Sequence, residues 1–283
     1  MAISRLSIGG GHLATEQVKG DGKHICHAQV GDIWRSIQGG DDWNGMIDPI
    51  NLLLKSEILR YGDWAWLSDP KEIKRLGRRD IVVAWRGTKT PQEWMQNMKD
   101  ILVPGTLSQS TQCPDIQTTF KPGVQIEKGF LSCYNSVYGD SERSRHSARD
   151  IVVTEITRLL NEYKDEEDMS ITFTGHSLGA ALATLSAYDN KQIIMKENDR
   201  KSIPVTVFAS ASPRVGNLAF SQHLQEIGVK VLWLVNTWDV VPKVPGVFLN
   251  ENMGWLTRFC IGFPGHMFMW ESPLLWTVGA LQC

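Results

Sequence analysis

Apolar side chains in the first half of the chain recur at two different spacings. In the segment DPINLLLKSEILRYGDW, residues 48 to 64, they recur every three or four residues, and Pro49 stands near the start. This spacing predicts an amphipathic helix that buries one face. The run IVVAW, residues 81 to 85, is continuously apolar and bounded by charge and glycine, which predicts a short buried strand. The helical positions are Ile50, Leu53, Leu54, Ile58 and Tyr61.

A second helix is predicted from residue 148 onward, in the segment SARDIVVTEITRLLNEYKDEE. Ser147 stands where an N-cap is needed, and Asp150 follows three residues later. Together these two side chains predict a capped helix start. The apolar stripe of this helix consists of Ala148, Val152, Ile156, Leu159 and Tyr163.

Strands and helices then alternate through the rest of the chain. Apolar runs predict strands at 171–173, 205–208 and 229–235, with a long helix after Ser177 and a short one from Asn217. Such alternation predicts an α/β fold with a mostly parallel sheet covered by helices on both faces. We expect a single domain over residues 1–283.

Three stretches lack any period. Residues 1–31 are rich in glycine and histidine and are expected to be loose, and residues 104–125 form an irregular excursion. Residues 259–283 form an apolar tail whose only formal side-chain charge is Glu271.

The composition and charge of the chain argue against several classes of function. The chain has 283 residues, 42% hydrophobic and 21% charged, which is typical of a soluble globular protein. Its formal charge of −2 gives no electrostatic case for binding nucleic acid. The five cysteines form no CxxC pair, so neither a zinc site nor a disulfide framework is expected. Their pattern favours a reducing compartment. No apolar run reaches the roughly 18 residues of a transmembrane segment.

The sequence Gly175-His176-Ser177-Leu178-Gly179 matches the G-x-S-x-G pattern of a nucleophile elbow. A predicted strand precedes it and a helix of small side chains follows, as the elbow requires. The turn is tight enough that a side chain at either glycine would collide with neighbouring backbone. We therefore expect Ser177 to be a nucleophile and the Leu178 N–H, at the helix start, to face a developing oxyanion. The alternative is an ordinary glycine-bounded turn with an inert serine.

Several longer segments carry a family resemblance. They are TGHSLGAALATLSAYD, AWRGT, SPRVGN, VNTWDVVPKVPG, DIWRSIQGGDDWNGMIDP and KRLGRRDIVVAWRGT. Together, from about Asp32 to Asn252, they resemble the class III (fungal-type) lipase family and, more closely, its plant phospholipase A1 branch. The resemblance implies an α/β-hydrolase fold, hydrolysis of glycerolipid acyl esters and a Ser-Asp-His triad. It places a second oxyanion donor at Thr88.

The resemblance and the chain order together place the triad acid at Asp239, just beyond the strand predicted at 229–235. Asp189, on the helix after the elbow, and Asp199, in a charged loop, are rivals by residue type only, and both are expected to be solvated. His223 precedes the acid on a predicted helix and is expected to be exposed. Because the triad runs Ser, Asp, His in such folds, elimination names His266, the only histidine after Asp239. The family places its base later, in a His-Asn-Leu-like motif. An incidental histidine in a Pro-Gly turn is therefore the alternative at His266, and the chain resembles a C-terminally truncated member. The family also carries an insertion near residues 64–74 that this chain lacks, so the sheet is expected to be incomplete at an edge.

The sequence thus predicts a serine hydrolase of phospholipase A1, triacylglycerol or galactolipid lipase type, acting on glycerolipid at a membrane or lipid-droplet surface. No metal or cofactor is needed for this chemistry. The location is expected to be the cytoplasm or, by resemblance alone, the plastid. Two alternatives stay open, a non-catalytic lipid-binding remnant and an acyltransferase on the same fold.

Overall fold

The computed structural model describes the central part of the chain. The described residues are 28–47, 49–63, 77–87, 101–105, 107, 120–135, 137, 146–164, 168–196, 200, 202–236, 267–269 and 276–280. The helices are α1 (Ala28–Ile37), α2 (Leu52–Asp63), α3 (Lys128–Asn135), α4 (Ala148–Glu162), α5 (Leu178–Ile194) and α6 (Leu218–Glu226). The strands are β1 (Arg79–Trp85), β2 (Leu102–Pro104), β3 (Gln125–Glu127), β4 (Met169–His176), β5 (Val205–Ser210), β6 (Val229–Asn236), β7 (Met267–Met269) and β8 (Trp276–Ala280).

Six of the strands form one sheet in the order β1-β4-β5-β6-β8-β7. The pairs from β1 to β6 are parallel, and β8 pairs antiparallel with both β6 and β7. A separate antiparallel pair is formed by β2 and β3. The mostly parallel sheet predicted from the sequence is therefore confirmed. At the carboxyl end of β4 the chain passes through Ser177 into α5.

Helices cover the sheet on both faces, as predicted. The larger core lies between the sheet and α3 to α6, with Phe173 of β4 fully buried in it. The smaller core lies on the opposite face under α1 and α2, where Leu54 is fully buried. Parallel strands buried on both faces carry continuous apolar runs, which explains why IVVAW and similar runs predicted strands.

The predicted helix starts are confirmed by their caps. In α4 the Asp150 N–H donates to Ser147 Oγ at 3.0 Å, and the Ser147 N–H donates to Asp150 Oδ2 at 3.2 Å. In α6 the Phe220 N–H donates to Asn217 Oδ1 at 3.0 Å. Two helix boundaries differ from the prediction. Residues 28–31, expected to be loose, are helical because α1 begins at Ala28, and α2 begins at Leu52 rather than near Pro49.

A buried polar network joins α2 to the amino ends of β1 and β4. The Asp80 carboxylate accepts hydrogen bonds from the hydroxyls of Tyr61 at 2.6 Å, Ser170 at 2.6 Å and Thr172 at 2.9 Å. Arg78 donates to Ser170 Oγ at 2.6 Å and to Tyr61 Oη at 3.1 Å. Because each buried charge faces its counter-charge and several hydroxyls, the network meets the condition under which burying an ion pair is tolerated.

Three buried tyrosines make stability sensitive to alkali. Burial raises the pKa of Tyr61 and of Tyr134, and it raises the pKa of Tyr188 to about 12. In the unfolded chain these phenols ionise near pH 10, so above that pH the folded chain holds more protons than the unfolded one. Between roughly pH 10 and its raised pKa, each buried tyrosine should therefore lower the free energy of unfolding by about 1.4 kcal/mol per pH unit, and below pH 10 it should have no effect.

Urea unfolding followed across that range, together with phenolate absorbance, checks this expectation. Below about pH 12, phenolate from these three residues should develop only as the chain unfolds, and Tyr61→Phe should make the pH slope shallower. Phenolate developing fully in the folded protein would contradict it.

Strand β1 ends the sheet on one side, since it pairs with β4 alone among the described strands. Residues 64–76, where a missing insertion was expected to leave the sheet incomplete, lie outside the described residues, so that expectation stays a prediction. None of the helices in the described ranges has the length and apolar character that crossing a bilayer requires.

Candidate active site

Ser177 occupies a strained bend between β4 and α5. Its backbone has φ 56° and ψ −124°, a region that residues with a Cβ seldom adopt. The Ser177 N–H donates to the Ser210 carbonyl oxygen at 2.9 Å. The Ser177 carbonyl in turn accepts from the Ala180 N–H at 2.9 Å, which begins the helix. The bend is thus fixed on one side by β5 and on the other by α5.

Two glycines allow this bend to close. A Cβ added at Gly175 would lie 2.4 Å from the carbonyl oxygen of Gly179. A Cβ added at Gly179 would lie 2.2 Å from the carbonyl oxygen of Trp85, at the end of β1. No side chain fits at such distances, so the sequence requirement for glycine on both sides of Ser177 is confirmed as a packing requirement.

Gly179→Ala should therefore push α5 away from β1 and displace Ser177. A displacement on the order of 1 Å lowers turnover about a hundred-fold, and we expect that loss with ester substrate. Gly228→Ala is the control, because Gly228 has a positive φ of 77° and, in the described part of the chain, no atom beyond its sequence neighbours lies within 4 Å of an added Cβ. It should lower the melting temperature slightly and leave turnover per folded molecule unchanged. Equal turnover losses in the two variants would contradict the packing argument.

The start of α5 supplies the first candidate oxyanion donor. Leu178 is the first residue of α5, and the first N–H groups of a helix have no acceptor within it. They carry the positive end of the helix dipole. The Leu178 side chain is buried at 2% exposure, which holds its backbone in place. The structure thus places the Leu178 N–H at the start of α5, next to Ser177, and its role as an oxyanion donor stays a prediction.

The loop after β1 reaches the same bend. Trp85 lies opposite Gly175 in the register of β1 and β4. A Cβ added at Gly87 would lie 2.8 Å from the His176 carbonyl oxygen and 3.9 Å from Ser177 Cβ. Gly87 therefore packs directly against the elbow. Thr88, the predicted second donor, follows Gly87 in the sequence and lies outside the described residues.

The hydroxyl of Ser177 is buried and has no hydrogen-bond partner among the described residues. His176 is exposed, and His223 Nδ1 lies 2.6 Å from the Tyr188 hydroxyl oxygen. The predicted acid Asp239 and the predicted base His266 both lie outside the described residues, so their roles stay predictions. No group of three or more potential metal ligands occurs within the described ranges.

The sequence analysis predicted the wrong degree of burial for two alternative candidates, one for the triad acid and one for the base. Asp189 was expected to be solvated, but it is fully buried and binds Arg149 Nε at 2.8 Å and the Tyr134 hydroxyl at 2.9 Å. His223 was expected to be exposed, but it is half-buried against Tyr188, and burial lowers its pKa. The sequence held a signal for the first error: residues 178–188 of α5 are almost all apolar or small on every face. Such a helix is buried, so a charge that follows within it must be paired.

A serine held in a strained strand-to-helix bend, over a parallel sheet and beside a glycine loop, defines an α/β-hydrolase. Residues 82–249 match the family model for Lipase (class 3). The chain belongs to the class 3 lipase family, as its resemblance implied.

Named relatives lie in the plant phospholipase A1 branch. Phospholipase A1-Igamma2, chloroplastic, of Arabidopsis thaliana is 36% identical over 78% of this chain and 55% of its own length. Galactolipase DONGLE, chloroplastic, of the same organism is 34% identical over 78% of this chain and 59% of its own length. The chain thus spans between 55% and 59% of these two relatives.

Among solved structures, a triacylglycerol lipase from Penicillium expansum aligns with a TM-score of 0.45. It is 22% identical, and the alignment covers 58% of this chain and 53% of that one.

Proposed function

We propose that the chain is a serine hydrolase that cleaves acyl esters of glycerolipids through an acyl-enzyme on Ser177. The observation that carries this proposal is the buried, strained Ser177 hydroxyl beside a helix start and a glycine loop. Strain of this kind persists only where surrounding structure enforces it, and it concentrates at functional sites. The phospholipase A1 and galactolipase names of the relatives favour glycerolipids as the substrate class.

The first half of the reaction acylates Ser177. Its oxygen attacks the ester carbonyl carbon while the base, His266 in our proposal, takes the hydroxyl proton. The Leu178 N–H, with that of Thr88, stabilises the oxyanion that forms, and one such donor contributes about 3 kcal/mol. The carbonyl then re-forms, the base returns its proton to the departing lysolipid oxygen, and the acyl group stays on Ser177.

The second half releases the fatty acid. Water attacks the acyl carbonyl, the base takes the proton of that water, and Ser177 leaves with the proton restored. Asp239 orients the base and stabilises its charged form. Its place in sequence supports this role, because Asp239 comes three residues after β6 ends at Asn236.

The strand order also supports Asp239. Strand β6 is two strands from β4, about 10 Å at the ordinary spacing of strands. One imidazole with a hydrogen bond on each ring nitrogen reaches across about 7 to 8 Å. Side chains that lean toward one another from the carboxyl ends of β4 and β6 can therefore share a histidine.

We propose the plastid as the location, by analogy with the chloroplastic names of the relatives. We also propose that the chain works at a membrane or lipid-droplet surface and that residues 1–283 form one lipase domain. Cleavage at the sn-1 position is proposed on the phospholipase A1 names of the relatives.

Vesicles of phosphatidylcholine or monogalactosyldiacylglycerol, labelled in the sn-1 acyl chain, test the proposal. Purified wild-type protein should release labelled fatty acid and the matching lysolipid, and Ser177→Ala should give the background. His266→Ala and Asp239→Asn test the remaining triad roles separately. Vesicle binding with no release above background would overturn the proposal in favour of a non-catalytic lipid binder. Transfer of the label mainly to an added alcohol would favour an acyltransferase.

A further inference from the structure

Tyr134 contacts Trp85, the last residue of β1. The loop that follows Trp85 and leads through Gly87 to the proposed donor Thr88 is called the oxyanion loop below. The ring of Tyr134 lies 5.7 Å from that of Trp85, centroid to centroid, with the planes tilted by 57°. Both side chains are more than nine-tenths buried. Tilted aromatic pairs at this distance attract one another beyond the effect of burial. Trp85 is the last residue of β1, two positions before Gly87.

Trp85 is held from two sides. Its carbonyl oxygen lies against α5, within 2.2 Å of where a Cβ at Gly179 would stand. Its indole N–H has no hydrogen-bond partner among the described residues. Within those residues the direction of the indole is therefore fixed by packing, and Tyr134 is the ring that contacts it.

Tyr134 is itself anchored to the helix that carries the nucleophile at its start. The Tyr134 hydroxyl donates to Asp189 Oδ2 at 2.9 Å, and Asp189 lies on α5. Arg149 of α4 binds the same carboxylate through Nε at 2.8 Å and Nη2 at 3.2 Å. These three side chains are 0% to 1% exposed. A bidentate guanidinium and a phenol thus hold Tyr134 rigidly against Trp85.

We infer that Tyr134 is a positioning residue that sets the distance between the oxyanion loop and Ser177 by packing against the indole of Trp85. This inference rests on the proposed function. The loop and α5 supply one oxyanion donor each, so the spacing between β1 and α5 determines whether both donors reach the same oxygen. The oxyanion forms only after the serine attacks, in the transition state and the tetrahedral intermediate, so a shifted donor lowers kcat and leaves KM unchanged.

Two substitutions at Tyr134 separate its ring from its hydroxyl. Tyr134→Leu removes the contact with Trp85 and should lower kcat about tenfold or more, with KM within about twofold. Tyr134→Phe keeps the ring, so kcat should stay within about threefold of wild type although the hydroxyl bond to Asp189 is lost. Phe208→Leu is the matched control, because Phe208 is equally buried but stacks on Tyr61 on the opposite face of the sheet.

A merely structural role would lower kcat per folded molecule equally in Tyr134→Leu and Phe208→Leu, and that result would overturn the inference. Should Tyr134→Leu fail to fold, a double-variant cycle of the larger Tyr134→Met with Trp85→Phe decides the question, because Met removes the ring that contacts Trp85. The two effects on kcat should then be non-additive, and strict additivity would overturn the inference. Wild-type protein without turnover would remove the proposed function and this inference together. Wild-type turnover with an unaffected Tyr134→Leu would remove the inference alone.

Discussion

Ser177→Ala should lower ester turnover about a million-fold and abolish labelling by a fluorophosphonate. The size of the loss follows from the way a triad acts, because the base and the acid accelerate nothing when the nucleophile is absent. The measurement is turnover of a short chromogenic ester, beside gel detection of the probe. Labelling that persists in Ser177→Ala would place the nucleophile elsewhere and contradict the assignment of the elbow.

The fold of Ser177→Ala should survive intact. The hydroxyl is buried without a partner among the described residues, and leaving such a group unsatisfied costs about 1 to 3 kcal/mol. Its removal is therefore expected to leave the melting temperature equal or higher. Ser202→Ala is a suitable control, since Ser202 is exposed, and it should change neither labelling nor melting. A large drop in the melting temperature of Ser177→Ala would mean that inactivity reflects unfolding.

Local patterns predicted the elements around the site well, because these elements are determined locally. The capped start of α4 follows from Ser147 and Asp150, which bond to each other's backbone across three residues. The elbow follows from glycines whose missing side chains leave room for neighbouring backbone. The cap is a contact between residues three apart in sequence. The elbow requires glycine whichever backbone lies against it, so the motif is recognisable even though Trp85, which packs against Gly179, is distant in the chain.

Interactions between distant residues escaped prediction. Asp189 was expected to be solvated on the helix after the elbow. Its partners, Tyr134 and Arg149, stand 55 and 40 residues earlier in the chain. Nothing in a local pattern connects such positions. The antiparallel addition of β8 and β7 to the sheet was missed for a similar reason, since the tail from residue 259 shows no period. The assignments of Thr88, Asp239 and His266 stay predictions.

Arg149→Leu should be among the most destabilising substitutions in the chain. It leaves the carboxylate of Asp189 fully buried with its counter-charge removed, although the Tyr134 hydroxyl still donates to it. Breaking a buried pair in this way typically costs about 3 to 5 kcal/mol. Urea unfolding at neutral pH measures the loss.

Two further variants test whether that loss of stability comes from the buried ion pair. Arg158 lies on the same helix α4 but is exposed, with ion pairs to Glu155 and Glu162, so Arg158→Leu should hardly change the unfolding midpoint. In the double variant Arg149→Leu with Asp189→Leu no charge is left unpaired, so stability should recover part of the way toward wild type. If instead the double variant is less stable than Arg149→Leu alone, Asp189 contributes through Tyr134 and its helix rather than through the ion pair. If Arg149→Leu and Arg158→Leu unfold alike, the buried pair does not stabilise the contact between α4 and α5.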